Sequence, residues 1–286
     1  MAFKLRWLLL GTGSRFYLLV AGLLAFGSVA MALTFSTPRP GQIEGETRES
    51  IADYAKANHL SLTQARQEFA ATGRIECPFD ASSAFLVYQN DIVITARHVL
   101  FSRMPGRYIS HGAINRCAFE TSDGKTSVWH MVDVKSITYP DLATGTFFDN
   151  TDWAIMKLQK PIDGITPYRL PELPAKAGEK ILDVTTRQAN FPKEDWNERL
   201  VSQCAIRDVE SFKDAPAGGL KLDCAMSGGA SGSPILRKSA KGWTALGLAS
   251  AGKANCRGYD RAKCFNFAVG LYPGLQAAIK KLAATP

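Results

Sequence analysis

From Ile75 onward the apolar residues come in short runs, each bounded by turn-forming residues. Runs at 84–88, 91–95, 128–137, 153–158 and 168–170 precede Pro171-Glu172-Leu173-Pro174. A second set comes after it at 180–185, 200–207, 220–224, 234–236, 243–248 and 265–271. Many short strands with turns between them fold as barrels or sandwiches, because each strand buries only one face and needs a second layer. Apolar residues make up 46% of the chain and charged ones 21%, so a chain of 286 residues has material for a sizeable core. No internal repeat or low-complexity tract interrupts this pattern.

The first 74 residues obey other rules. Lys4, Arg6 and Arg15 form a basic start, and residues 16–35 are a nearly unbroken apolar run. Ala30-Met31-Ala32 is a small-x-small cleavage pattern, which favours a signal peptide, while the length of the run also fits a spanning anchor in the inner membrane. Either way the basic side stays in the cytoplasm and the remainder is exported, as a periplasmic, secreted or anchored protein. Pro38, Pro40, Gly41 and Gly45 mark a linker. Residues 49–72 predict two short helices. Ser61-Leu62-Thr63-Gln64 starts the second with a capping box, Leu62, Ala65 and Phe69 share one face, and Gly73 is expected to end it. The expected organisation is a leader or anchor at 1–35, a linker and helical arm or propeptide at 36–74, and a β domain at 75–286.

The net charge of +8 falls to +5 when the three basic residues of the leader are set aside. That excess is spread out, with no basic cluster interleaved with aromatics, so no nucleic-acid partner is expected. Membrane contact is expected only through the N-terminal segment. The six cysteines, Cys77, Cys117, Cys204, Cys224, Cys256 and Cys264, all lie downstream of the leader. No C-x-x-C occurs, which disfavours zinc ribbons and thioredoxin-type redox sites and favours disulfides in an exported protein.

Three stretches carry chemistry. Ser227-Gly228-Gly229-Ala230-Ser231-Gly232-Ser233-Pro234 joins two strand-like runs. Glycines allow sharp turns that leave amides pointing at one small volume, where a serine can attack a carbonyl while the amides hold the oxyanion. A plain Gly/Ser hairpin turn is the competing reading. Upstream lie Val93-Ile94-Thr95-Ala96-Arg97-His98-Val99-Leu100 and Asp149-Asn150-Thr151-Asp152-Trp153-Ala154-Ile155-Met156-Lys157-Leu158. Together they run His, Asp, Ser along the chain, the order of chymotrypsin and not that of subtilisin or the α/β-hydrolases.

In these motifs the chain resembles the chymotrypsin/trypsin-like serine proteases, T-A-x-H, D-x-A-(I/L) and G-x-S-G-(G/S)-P, most closely the bacterial branch with the glutamyl endopeptidases. The resemblance implies an all-β fold of two antiparallel six-stranded barrels with a C-terminal helix at 273–283, whose Leu275, Ile279 and Leu282 share one side. It implies a serine endopeptidase acting on a protein or peptide substrate through an acyl-enzyme, with no metal or organic cofactor. His98 would be the base, Asp152 its orienting acid (Asp149 competes for this role) and Ser231 the nucleophile, preferred over Ser227 and Ser233. The amides of Gly229 and Ser231 would form the oxyanion hole. The two-barrel picture pairs Cys77 with Cys117, Cys204 with Cys224, and Cys256 with Cys264.

The sequence also departs from the family. Ala230 stands where trypsin has the acid that receives a new N-terminus, so activation by N-terminal insertion is not expected. Val99 replaces the cysteine after the catalytic histidine of animal trypsins. Ala225 stands where trypsin keeps its pocket acid, and Ala249 where glutamyl endopeptidases keep a histidine. A pocket bordered by Ala225, Ala249 and Ser250 would suit a small or apolar side chain. Two other functions compete: a catalytically silent protease-like binding module, and a membrane-tethered structural protein.

Overall fold

The computed structural model describes residue 43 and residues 47–78, 80–104, 107–110, 114–140, 148–186, 198–253 and 256–285. The apolar run at 16–35 and most of the linker lie outside these residues. Among the described residues no helix is long and apolar enough to cross a membrane.

The chain enters with a three-residue strand, β1 (Arg48–Ser50), and two helices, α1 (Ile51–Ala57) and α2 (Leu62–Glu68). Ser50 caps α1 by accepting from the Asp53 amide. Ser61 and Gln64 form the expected capping box on α2. Ile51, Tyr54, Ala65 and Phe69 are buried in the main hydrophobic core, so the arm packs on the barrels as part of one body. Leu62 remains 37% exposed, leaving Ala65 and Phe69 as the packed part of the α2 face. Gly73 does not end the helix. Phe69 caps it, and Gly73 lies inside the next strand, where a side chain would run into Phe119 and the Glu120 carbonyl.

The first barrel uses β2 (Thr72–Cys77), β3 (Asp80–Leu86), β4 (Ile92–Thr95), β7 (Ala118–Ser122), β8 (Ser127–Thr138) and β9 (Ala154–Leu158). They close in the order β2-β3-β4-β9-β8-β7, each pair antiparallel. A side hairpin, β5 (Phe101–Met104) with β6 (Arg107–Ser110), leaves the barrel between β4 and β7. The second barrel uses β10 (Lys180–Thr185), β11 (Leu200–Phe212), β12 (Ala215–Leu222), β13 (Pro234–Ser239), β14 (Gly242–Gly252) and β15 (Asn266–Gly270). Its order is β11-β10-β13-β14-β15-β12, and the β11–β12 pairing closes the ring. β1 adds to the outer side of β11, with Arg48 opposite Ser202. The closing helix α3 (Pro273–Ala283) starts with Pro at its first turn, and Leu275, Ile279 and Leu282 are its buried residues.

Closed rings leave no unpaired sheet edge inside the barrel, which suits short strands that could not stand alone. Disulfides join Cys77 to Cys117 in the first barrel, Cys204 to Cys224 across β11 and the end of β12, and Cys256 to Cys264 around a short loop.

Candidate active site

β4 is buried at all four positions and pairs antiparallel with β9, with Thr95 opposite Ala154. The C-terminal end of β4 therefore lies beside the N-terminal end of β9, and the residues just past the one strand meet those just before the other. A 3₁₀ turn at Arg97–Val99 comes after β4 and carries His98, and Asp152 precedes β9. The Asp152 carboxylate accepts from the His98 backbone amide at 3.0 Å and faces His98 Nδ1 at 2.8 Å. A carboxylate only accepts, so Nδ1 carries the proton in this pair. In the neutral ring Nε2 is then an acceptor, and the Ser231 hydroxyl lies 2.7 Å from it. Asp152 is completely buried, and Ser250 also donates its hydroxyl to Asp152 Oδ2. Asp149 caps its own turn instead, accepting from the Thr151 amide at 2.8 Å and hydroxyl at 2.6 Å.

Ser231 sits in the tight turn between β12 and β13. Gly229 and Gly232 have φ of +97° and +80°, a region that side chains rarely enter. A Cβ on Gly232 would strike the Thr95 hydroxyl and the Ser83 carbonyl. The turn is stitched to both barrels. From β3, Ser83 donates its amide (3.2 Å) and its hydroxyl (2.8 Å) to the Gly229 carbonyl, and Ser82 donates its hydroxyl to the Ser231 carbonyl at 2.8 Å. From the other side, the Gly232 amide donates to the Ala249 carbonyl at 2.7 Å. Among the described residues, neither the Gly229 nor the Ser231 amide is committed to a backbone carbonyl. Beneath the turn, Ser233 donates to Asp183 on β10 at 2.5 Å, and burial pushes the Asp183 carboxyl up to about 7.

A pocket of about 210 Å³ opens beside Ser231, walled by segments 226–228 and 249–252. Ala249 and Ser250 line it. Ala225 does not: it is fully buried, and its amide is tied down by the Ser202 hydroxyl at 3.2 Å. Met226 takes the wall position instead.

Residues 82–247, more than half of the chain and spanning His98, Asp152 and Ser231, match the family model described as Trypsin-like peptidase domain. The chain belongs to the trypsin-like peptidase family. The two barrels of this trypsin-like peptidase are similar in fold to a solved structure of a Glu endopeptidase in complex with MPD. That likeness has a TM-score of 0.61 at 13% identity and covers 85% of this chain and 100% of that one. No curated protein matches the sequence.

In this trypsin-like peptidase, sequence reasoning missed Ser82, Ser83 and Met226 as neighbours of the turn that carries Ser231. Ser82 and Ser83 precede the apolar run expected at 84–88 and carried no signal of their own, and Met226 precedes a turn whose local pattern does not say which side faces the pocket. Nothing in the sequence pointed to Arg48, which donates to the Ser227 hydroxyl at 2.8 Å across 179 residues of chain.

Proposed function

We propose that the chain is an exported serine endopeptidase in which Ser231 is the nucleophile, His98 the general base and Asp152 the group that orients His98. The unbroken line from Asp152 Oδ2 through both nitrogens of His98 to Ser231 Oγ, at 2.8 and 2.7 Å, carries this reading. A serine hydroxyl is a weak nucleophile until a base takes its proton, and these distances are within reach of that transfer. Ser231 Oγ attacks the scissile carbonyl as its proton passes to His98 Nε2. The tetrahedral oxyanion is held by the Gly229 and Ser231 amides, His98 returns the proton to the leaving amine, and the acyl-enzyme forms. Water, deprotonated by His98, then releases the acid. Asp152 stabilises the imidazolium in both steps.

The pocket supports a small or apolar side chain before the cleaved bond, because Met226, Ala249 and Ala251 line it and, among the described residues, no acid does. Profiling on a peptide library is expected to show that preference, and cleavage after Lys, Arg or Glu would overturn it. Export is supported by the basic start, the apolar run at 16–35 and three disulfides in one chain. A protein or peptide is the proposed partner. The triad is tested by treating the protein with a fluorophosphonate: an adduct on wild type that disappears in Ser231→Ala supports it. A folded wild type without an adduct supports the silent binding module instead.

A further inference from the structure

We propose that Arg48, on the first strand of the N-terminal arm, is a positioning residue for the oxyanion turn, so that the arm belongs to the working enzyme and is not a detachable inhibitor. This rests on the serine-protease reading above. β1 is only three residues long, yet it is held in register on β11. From there the arm reaches Ser227 in the wall of the pocket and, through Ser202, the backbone of Ala225 next to that wall. Thr47 shares a hydrogen bond of 3.0 Å with the Ser202 hydroxyl, which accepts from the Ala225 amide at 3.2 Å. Arg48, only 9% exposed, sends its guanidinium under the turn to the Ser227 hydroxyl at 2.8 Å.

Ser227 is the first residue of that turn, and its carbonyl accepts from the Ala230 amide at 3.0 Å. Fixing Ser227 therefore fixes the plane of the peptides that carry the Gly229 and Ser231 amides. A charge-assisted bond to a partly buried hydroxyl is a stiff support, because the planar guanidinium loses little freedom on binding. The same positive charge acts on Asp183, which holds Ser233 at the far end of the turn. Arg48 thus braces the turn that carries Ser231 directly at Ser227. Among the described residues, none from the arm lines the pocket, which fits a brace behind the wall and not a plug in front of it. Any processing cut in the active protein accordingly falls before Arg48.

The test compares the full chain with Arg48→Ala, Ser227→Ala and the double variant, using diisopropyl fluorophosphate. The readout is the inactivation rate constant per folded molecule, with kcat and KM on a peptide that wild type cleaves. Loss of an oriented amide in such a site costs far more than tenfold, so a loosened turn is expected to slow each single variant by about tenfold or more, mainly in kcat. The double variant is expected to be no slower than the worse single one, because both remove the same contact. Guanidinium chloride at millimolar concentration should restore Arg48→Ala and leave Ser227→Ala unchanged. A purely structural role would lower melting temperature without changing the rate per folded molecule. Wild-type rates in both single variants would overturn the inference. Ser227→Ala leaves the arginine in place, so its rate decides the question even if Arg48→Ala does not fold. An unreactive wild type would overturn the serine-protease reading itself, a result distinct from reactive but identical variants.

Discussion

Asp152 has no access to solvent, so its charge depends on the donors packed around it. The His98 ring and backbone amide and the Ser250 hydroxyl supply three of them. Asp152→Asn keeps the shape but presents an amide donor where the ring N–H must be accepted, which favours the wrong tautomer. Its kcat is expected to fall on the order of 10⁴-fold with little change in KM, as measured by steady-state kinetics on a cleaved peptide. A loss below tenfold would contradict the assignment. Gly232→Ala tests the neighbouring backbone. The φ of +80° and the collisions with Thr95 and Ser83 leave a Cβ nowhere to go without moving the turn off β3 and β4. The variant is expected to lose about 2 kcal/mol or more in urea unfolding and to lose fluorophosphonate reactivity together with it.

At the scale of elements, β10 supports the nucleophile turn through Asp183, with Ser233 approaching from the start of β13 and the charge of Arg48 from β1. The unfolded carboxyl titrates near pH 4 and the folded one, raised by burial, near 7. The folded state therefore keeps its proton longer than the unfolded state. The contribution of this group is fully present below pH 4, declines as pH rises and is lost above about pH 7. Asp183→Asn should remove that part of the decline, so its urea midpoint should gain on wild type between pH 4 and pH 8. Parallel curves would contradict this. The elements also show what local pattern can and cannot tell. β10 was legible to the residue, because Ile181, Leu182 and Val184 form a short apolar run just after the Gly178 turn. No strand was expected at β2, where Ile75 is the one large aliphatic residue; pairing with β3, not composition, makes Thr72–Cys77 a strand. The β11–β12 hairpin runs to Phe212 and Ala215, well past the expected 207, because its outer half is a half-exposed ribbon with polar residues. β1, β2 and β5 to β7 escaped notice: Ala118–Ser122, for example, has only Phe119 as a large apolar residue, and Arg48–Ser50 has none. The role of β1 depends on Ser202 and Ser227, far downstream, and no window along the chain contains both ends.

For the whole molecule, the two barrels divide the work. The first supplies His98, Asp152 and the serines of β3 that hold the turn, and the second supplies Ser231 and the pocket. The three motifs were legible because each is a strand end with fixed neighbours, while their meeting point depends on closure of both rings. The tail takes part as well: Trp153, next to Asp152, donates to the hydroxyl of Tyr272 at the cap of α3, 3.2 Å away. Cys77–Cys117 spans 40 residues of the first barrel, and the loop it closes predicts a loss of about 4 kcal/mol when both are replaced by alanine, read by urea unfolding. Whether this architecture activates one serine is decided by intact mass spectrometry after fluorophosphonate treatment of wild type and Ser231→Ala. A single adduct on wild type and none on the variant is the predicted result. A folded wild type that takes no adduct, or a variant that still takes one, would contradict it.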